Sequence, residues 1–239
     1  MNTTSMRPGT RCLMSTIAAA GLTAAVASCG SADKSSGAGA GGWVTLSDDP
    51  TLEHWVQRGG KAAYRFEDGV IVGSSRPNQP NSFLCTKRDY GDFELEFEFK
   101  VDPELNSGVQ FRSLSLPEYR NGVVHGYQYE IDPTDRAYSG GIYDEGRRGT
   151  WVANPADNPQ ARAAFKQNEW NSGSVLAVGD HLQTWINGVR AVDVHDSMTA
   201  SGFIGLQVHD VGNRTDPLEV RWRNIRIREI TPKPFADEK

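Results

Sequence analysis

The stretch "FELEFEFKV" (93–101) constrains this chain more than any other. Phe93, Leu95, Phe97, Phe99 and Val101 alternate with Glu94, Glu96, Glu98 and Lys100. Strand side chains point to opposite faces in turn, so a period of two puts every apolar residue on one side and every charge on the other. The stretch therefore predicts a strand with one buried and one solvated face. "LEVRWRNIRIREI" (218–230) repeats the pattern through Val220, Trp222, Ile225 and Ile227, with a slip near Asn224. Further strands are predicted at 64–66, 69–73, 81–86, 107–113, 126–132, 171–178, 181–186, 189–194 and 203–209. The turn signals "EDGV", "RDYGDF", "VGDH" and "INGVR" separate them. "HLQTWINGVRAVDV" reads as a hairpin on Asn187 and Gly188. Helical character is confined to "NPQARAAFKQ" (158–167). Many short strands at regular spacing predict an all-β jelly-roll sandwich of two antiparallel sheets.

The first 28 residues read as a leader. Arg7 and Arg11 form a basic front, and "LMSTIAAAGLTAAVAS" is apolar but too short and small-residue-rich for a membrane span. The leader ends at Val26, Ala27, Ser28 and Cys29, which resemble a bacterial lipobox. That resemblance implies cleavage before Cys29, lipidation of its thiol and an extracytoplasmic protein held at a bacterial membrane by its lipid anchor alone. A plain secretory signal with an incidental Cys is the alternative. Residues 29–41, "CGSADKSSGAGAG", read as a flexible tether suited to an anchored domain. The folded domain is expected at 42–231 and a C-terminal tail at 232–239.

The leader carries two Arg and no acid, so its removal takes the formal charge from −5 to −7. With no basic run, nucleic acid is not an expected partner. Of three Cys, Cys12 would leave with the leader and Cys29 would be acylated. Cys85, inside "SFLCT", is left as a core residue without a disulfide partner.

Three strands carry unusual polar faces. Gln110 and Arg112 lie opposite Val109 and Phe111. Gln128, Glu130 and Asp132 lie opposite Tyr127, Tyr129 and Ile131. Gln207 and His209 lie opposite Leu206 and Val208. Gathered on one sheet, these amides, carboxylates, Arg and His suit sugar hydroxyls and acid–base work; scattered, each is a solvated polar residue. The segment 133–169 reads as a long Gly- and Arg-rich loop able to cover that face, with Tyr143, Arg147, Arg148, Trp151 and Lys166 as candidate sugar contacts. Arg147 and Arg148 read equally as partners of Asp144 and Glu145. His54, His181 and His195 read as structural or exposed, and His125 opens the 126–132 strand. The chain shows no nucleophile elbow, phosphate-binding Gly loop, His-Glu-x-x-His or EF-hand loop.

The ordered series "GWVTLSDDPTLEHWV", "FEDGVIVG", "FLCTKRDYGDFELEFEFKV", "NSGVQFRS", "GYQYEID", "EWNSGSVLAVGDHLQTWINGV", "GFIGLQVHD" and "VRWRNIRIREI" resembles the 3-keto-disaccharide hydrolase family, the 3-keto-glucoside 1,2-lyase/3-keto-2-hydroxy-glucal hydratase domain. The resemblance covers 42–230. It implies a concanavalin A-like lectin/glucanase fold and a substrate that a sugar 3-dehydrogenase has already oxidised at C3. The ketone acidifies the C2 proton, a base removes it, the C1 substituent leaves by β-elimination, and water adds to the glycal. On that reading His209 is base or acid, Glu130 its partner, and Arg112 the enolate-stabilising cation. Gln110, Gln128 and Gln207 hold hydroxyls. Where a divalent metal, Mn or Ca, is used, Glu130, Asp132 and His209 are the implied ligands. Two other classes stay open on the residues: a carbohydrate-binding module without chemistry, and a conventional endo-glycosidase of the same fold.

Overall fold

The computed structural model describes residues 42–231. The leader, Cys29, the tether and the tail lie outside the described residues.

Two antiparallel sheets make up the domain. The first carries β1 (Val44–Thr45), β3 (Ala63–Glu67), β4 (Val70–Ser74), β6 (Phe93–Val101), β11 (Asn171–Val178), β12 (His181–Ile186), β13 (Val189–His195) and β15 (Glu219–Glu229). Its order is β13-β12-β11-β6-β15-β4-β3, with β1 also on β15. The second carries β2 (Trp55–Gly59), β5 (Ser82–Tyr90), β7 (Ser107–Leu114), β8 (His125–Ile131), β9 (Ile142–Glu145), β10 (Trp151–Ala153) and β14 (Gly202–Val208), ordered β10-β9-β8-β7-β14-β5-β2.

The alternation in β6 is realised over its full predicted length. Its apolar residues are buried and its charges half-buried on the outer face. There Glu98 meets Arg223 at 2.6 Å and Glu96 meets Arg226 at 2.5 Å, directly across the β6–β15 ladder. Such exposed pairs contribute only about 0.2–1 kcal/mol each. The slip expected near Asn224 is a β-bulge between Arg223 and Arg226, with Asn224 at φ 52°. Inside, Tyr129 of β8 meets Phe97 edge-on at 5.1 Å and donates its hydroxyl to Trp185 O at 3.0 Å, which joins the two sheets. Gly173 permits this approach, since a Cβ there would lie 2.5 Å from the Phe97 ring. Burial of each such aromatic or aliphatic side chain contributes about 1.5–3 kcal/mol.

The segment 133–169 is not one long loop. It holds β9 and β10, which extend the second sheet beyond β8, and α1 (Pro159–Ala164). Asn158 caps α1 by accepting from Ala161 N at 3.1 Å, and Pro159 follows it. β9 and β10 are short and lack an apolar period, so only their pairing reveals them. Cys85 is buried, and burial pushes its thiol up to about 12.

Candidate functional site

β8 is buried on both faces. Tyr127, Tyr129 and Ile131 enter the core between the sheets. Gln128 and Glu130 point to the other face, where β7 and β9 supply their neighbours. Residues directly opposite in an antiparallel pair share a face, and the register sets Gln110 and Tyr143 beside Gln128, and Gly108 beside Glu130.

A directed chain of hydrogen bonds runs along this floor. Ser113 Oγ donates to Gln110 Oε1 at 2.7 Å, Gln110 Nε2 to Gln128 Oε1 at 2.5 Å, and Gln128 Nε2 to Glu130 Oε2 at 2.8 Å. Asn106 Nδ2 donates to Glu130 Oε1 at 2.7 Å. Each amide accepts on its oxygen and donates onward from its nitrogen, so the network fixes the amide orientations and aims two N–H groups at one carboxylate. Gly108 makes room for it: a Cβ there would sit 2.4 Å from Gln128 Cδ.

Glu130 faces a cavity of about 390 Å³ whose wall also includes Asn81, Arg136, Tyr143, Glu145, Trp151 and His209. Burial raises the Glu130 carboxyl above its ordinary range, against the pull of Asn106 and Gln128; Asp132 and Glu145 add to the rise. Burial also raises Glu145, against the pull of its Asn81 bond and of His209. Asn81 Nδ2 donates to Glu145 Oε1 at 3.2 Å, although β8, β7 and β14 lie between β5 and β9 in the sheet. The sheet must therefore curl for the two side chains to meet. His209 Nδ1 lies 2.8 Å from Asp210 O. A carbonyl only accepts, so Nδ1 carries a proton there and Nε2 is the ring nitrogen left without that contact. Trp151 meets Tyr143 and Tyr138 edge-on at 5.4 and 5.5 Å. The Arg136 guanidinium lies 5.4 Å from the Trp151 ring centroid while its Nε donates to Asp132 at 2.8 Å.

The structure thus brings Gln128, Glu130, Tyr143, Trp151 and His209 to one cavity and sends other expected residues elsewhere. Arg112 is the main correction. It sits in a β-bulge between Phe111 and Leu114 with φ 45°, so the alternation that put it beside Gln110 fails. Its buried guanidinium donates to Gly91 O at 2.8 Å, Gly179 O at 2.6 Å and Asp92 Oδ1 at 2.9 Å. It ties two turns together and does not reach the cavity. Asp132 is fully buried and accepts from Thr134 Oγ1 at 2.6 Å, Arg136 Nε at 2.8 Å and the Thr134 and Tyr138 N–H groups at 3.2 Å, so it anchors a turn. Arg147 binds Asp144 at 2.8 Å and Thr199 at 2.8 Å, as its ion-pair reading had it, and Arg148 binds Asp144 and Asp196. Lys166 is exposed, and its backbone pairs with Asn171 of the first sheet. Gln110 is buried and supports Gln128 from behind. Gln207 faces the same side as Glu130 across Gly108, fully buried, with no partner for either amide atom among the described residues. His125 is buried against Tyr119 at 4.0 Å, outside the cavity.

Asn81, Asn106, Arg136 and Glu145 are cavity residues that sequence reasoning missed. Glu145 stands two residues after Tyr143 on the same strand face, a signal visible only once β9 is known. Asn106 and Asn81 sit just before β7 and β5, in phase with Gln110 and Cys85. Arg136 had no signal, since its place depends on the Asp132 turn. The implied metal set does not fit. Among the described residues no group of three His, Cys, Asp or Glu is placed to hold an ion, Asp132 is committed to its turn, and both Glu130 oxygens already accept amide donors. A larger groove of about 640 Å³ on the outer face of the first sheet is lined by Glu96, Glu98, Ser172, Ser174 and Arg226, among others. Glu96, Glu98 and Arg226 there are already in ion pairs, and none of these five residues is buried.

Two antiparallel sheets, one carrying a buried carboxyl in a polar cavity, define a jelly-roll sandwich. A Bacillus subtilis protein of unknown function with a galectin-like fold aligns with a TM-score of 0.59 at 14% identity, over 80% of this chain and 96% of that one. A β-1,3-1,4-glucanase (lichenase) from a mouse hindgut metagenome aligns at 0.55 and 10% identity, over 80% of this chain and 100% of that one. The carbohydrate-binding module CBM66 of B. subtilis aligns at 0.53 and 17% identity, over 74% and 96%. They share the fold. No curated protein sequence matches the chain. The family model of the 3-keto-alpha-glucoside-1,2-lyase-like domain matches residues 42–228, and the chain belongs to that family.

Proposed function

We propose that the protein cleaves 3-keto-glycosides by removing the C2 proton, expelling the C1 substituent and hydrating the resulting glycal. The observation that carries this reading is Glu130: a buried carboxyl in a polar cavity, accepting an amide donor on each oxygen and raised by burial above its ordinary range. A carboxylate whose pKa is raised is the stronger base. Glu130 takes the C2 proton. Arg136 is the guanidinium at the cavity, and it stabilises the negative charge that develops on the C3 oxygen. Tyr143 and Trp151 form the wall on which a sugar face stacks, and Gln128, Asn81 and Asn106 offer amides to its hydroxyls.

A sugar 3-dehydrogenase supplies such a substrate. On this proposal the lipobox-like stretch Val26–Cys29 is cleaved before Cys29, and a lipid on that thiol holds the protein on the outer side of a bacterial membrane. Incubation of the purified protein with a 3-keto-glucoside and with its unoxidised parent, each with and without EDTA, tests the function. Release of the aglycone from the keto form alone is the expected result. Cleavage of the parent makes the protein a conventional glycosidase, and binding without cleavage makes it a carbohydrate-binding module. Loss of activity in EDTA brings in a metal that Glu130, Asp132 and His209 do not hold as they stand.

A further inference from the structure

The elimination needs a second proton-transfer group, because the oxygen leaving C1 departs as an alkoxide unless it is protonated. The cavity contains a second carboxyl, Glu145, which the sequence offered only as an ion-pair partner of Arg147 or Arg148 and which the structure pairs with Asn81 instead. Glu145 lies on β9 opposite Gly126, four residues along β8 from Glu130. That is roughly 13 Å along the strand at about 3.3 Å per residue. The two carboxyls thus enter one cavity from separate backbone positions, with separate partners. Glu130 is held by Asn106 and Gln128, Glu145 by Asn81. Asn81 is itself fixed, since its Oδ1 accepts from Asp210 N at 2.9 Å.

The two environments also differ in kind. Glu130 accepts an N–H on each oxygen, which favours the carboxylate. Glu145 accepts one longer side-chain bond, at Oε1. Burial favours the neutral acid at both carboxyls, and at Glu145 a single amide bond opposes it where Glu130 has two. Two carboxyls in unlike surroundings are the arrangement by which one site supplies both a base and an acid.

We infer that Glu145 is the proton donor to the departing C1 oxygen, and the acceptor of the proton from the water that adds afterwards. This rests on the elimination reading above. In the first half-reaction Glu130 takes the C2 proton. The C–H electron pair becomes the C1–C2 double bond, the C1–O pair goes to the leaving oxygen, and Glu145 protonates that oxygen. In the second, the Glu145 carboxylate takes a proton from water as the water oxygen bonds to C1, and Glu130 returns its proton to C2. Both groups end as they began, and the net reaction is hydrolysis.

The test compares wild type and Glu145→Gln on two 3-keto-glucosides, one with an acidic phenol as leaving group and one with a sugar alcohol. The amide keeps the Asn81 bond at its oxygen but has no acidic proton. The phenol departs without help, so its release changes little. Release of the sugar alcohol falls about 10²–10⁴-fold, the usual contribution of general acid catalysis. Glu145→Ala assayed with added formate is the second variant, and recovery of sugar-alcohol release supports the assignment. Equal losses on both substrates in Glu145→Gln, or full activity on both, overturn it while leaving the elimination reading standing. A wild type inert on both keto substrates overturns the elimination reading and this assignment with it.

Discussion

Gly108→Ala tests whether the amide chain sets the basicity of Glu130. The new Cβ falls 2.4 Å from Gln128 Cδ, 2.5 Å from Cγ and 2.9 Å from Nε2. Ordinary contact is about 3.5–4.0 Å, so the carboxamide must move by about 1 Å. Gln128 Nε2 lies 2.8 Å from Glu130 Oε2, and a displacement of that size takes it out of hydrogen-bond range. A hydrogen bond to a charged group contributes about 1.5–3 kcal/mol. At 1.36 kcal/mol per pKa unit, its loss raises the Glu130 carboxyl by about 1–2 units. The lost bond favoured the ionised form, so the base protonates at higher pH and the acidic limb of the kcat/KM profile moves up by the same amount. Overpacking also costs about 1–3 kcal/mol of stability, which urea unfolding measures separately. NMR titration of the 13C-labelled glutamate carboxyls reads the shift without any substrate, and Gln128→Met removes the same donor by another route. A Glu130 titration that stays put or moves down in both variants refutes the reasoning.

Three further outcomes follow from the same geometry. Arg112→Met breaks three bonds to the turns at Gly91, Asp92 and Gly179 and lowers stability by about 3–5 kcal/mol in urea unfolding; the folded fraction keeps wild-type kcat, and a catalytic defect larger than the loss of folded protein contradicts its structural role. Burial alone would raise Asp132, but Thr134, Arg136 and the Tyr138 N–H outweigh it and hold the carboxyl below its ordinary value. A depressed folded pKa contributes stability above the unfolded value near 3.9 that is lost as pH falls through the folded one, so Asp132→Asn is less stable than wild type at pH 7 and the gap narrows as pH falls from about 4 through the lower folded value. The Cys85 thiol, pushed up to about 12 by burial, stays inert to a disulfide-exchange reagent in the native protein and reacts in urea; native labelling at the unfolded rate contradicts its burial.

The fold was legible where one face is apolar and the other wet. β6, β11 and β12 begin and end where their periodicity does, because burial on one side fixes the phase of every residue. β9 and β10 escaped because their pairing partner carries the information. Ile142 and Asp144 are buried while Tyr143 and Glu145 are only partly so, and four residues are too few to show a period.

The site was legible to the extent that β8 is regular. Gln128 and Glu130 could be placed on one face because no bulge intervenes between them. Arg112 was assigned by the same rule and the rule failed, because a bulge between Phe111 and Leu114 turns its side chain away. The cation that the cavity does have, Arg136, is positioned by Asp132, the residue expected to bind metal or sugar. One tertiary fact therefore exchanges two roles. The carboxylate assigned to chemistry holds a turn, and the Arg on that turn reaches the cavity. Period-two reasoning finds which residues share a face but not which loop returns over it. That is why the residues missed here, Asn81, Asn106, Arg136 and Glu145, all lie at strand ends or beyond them.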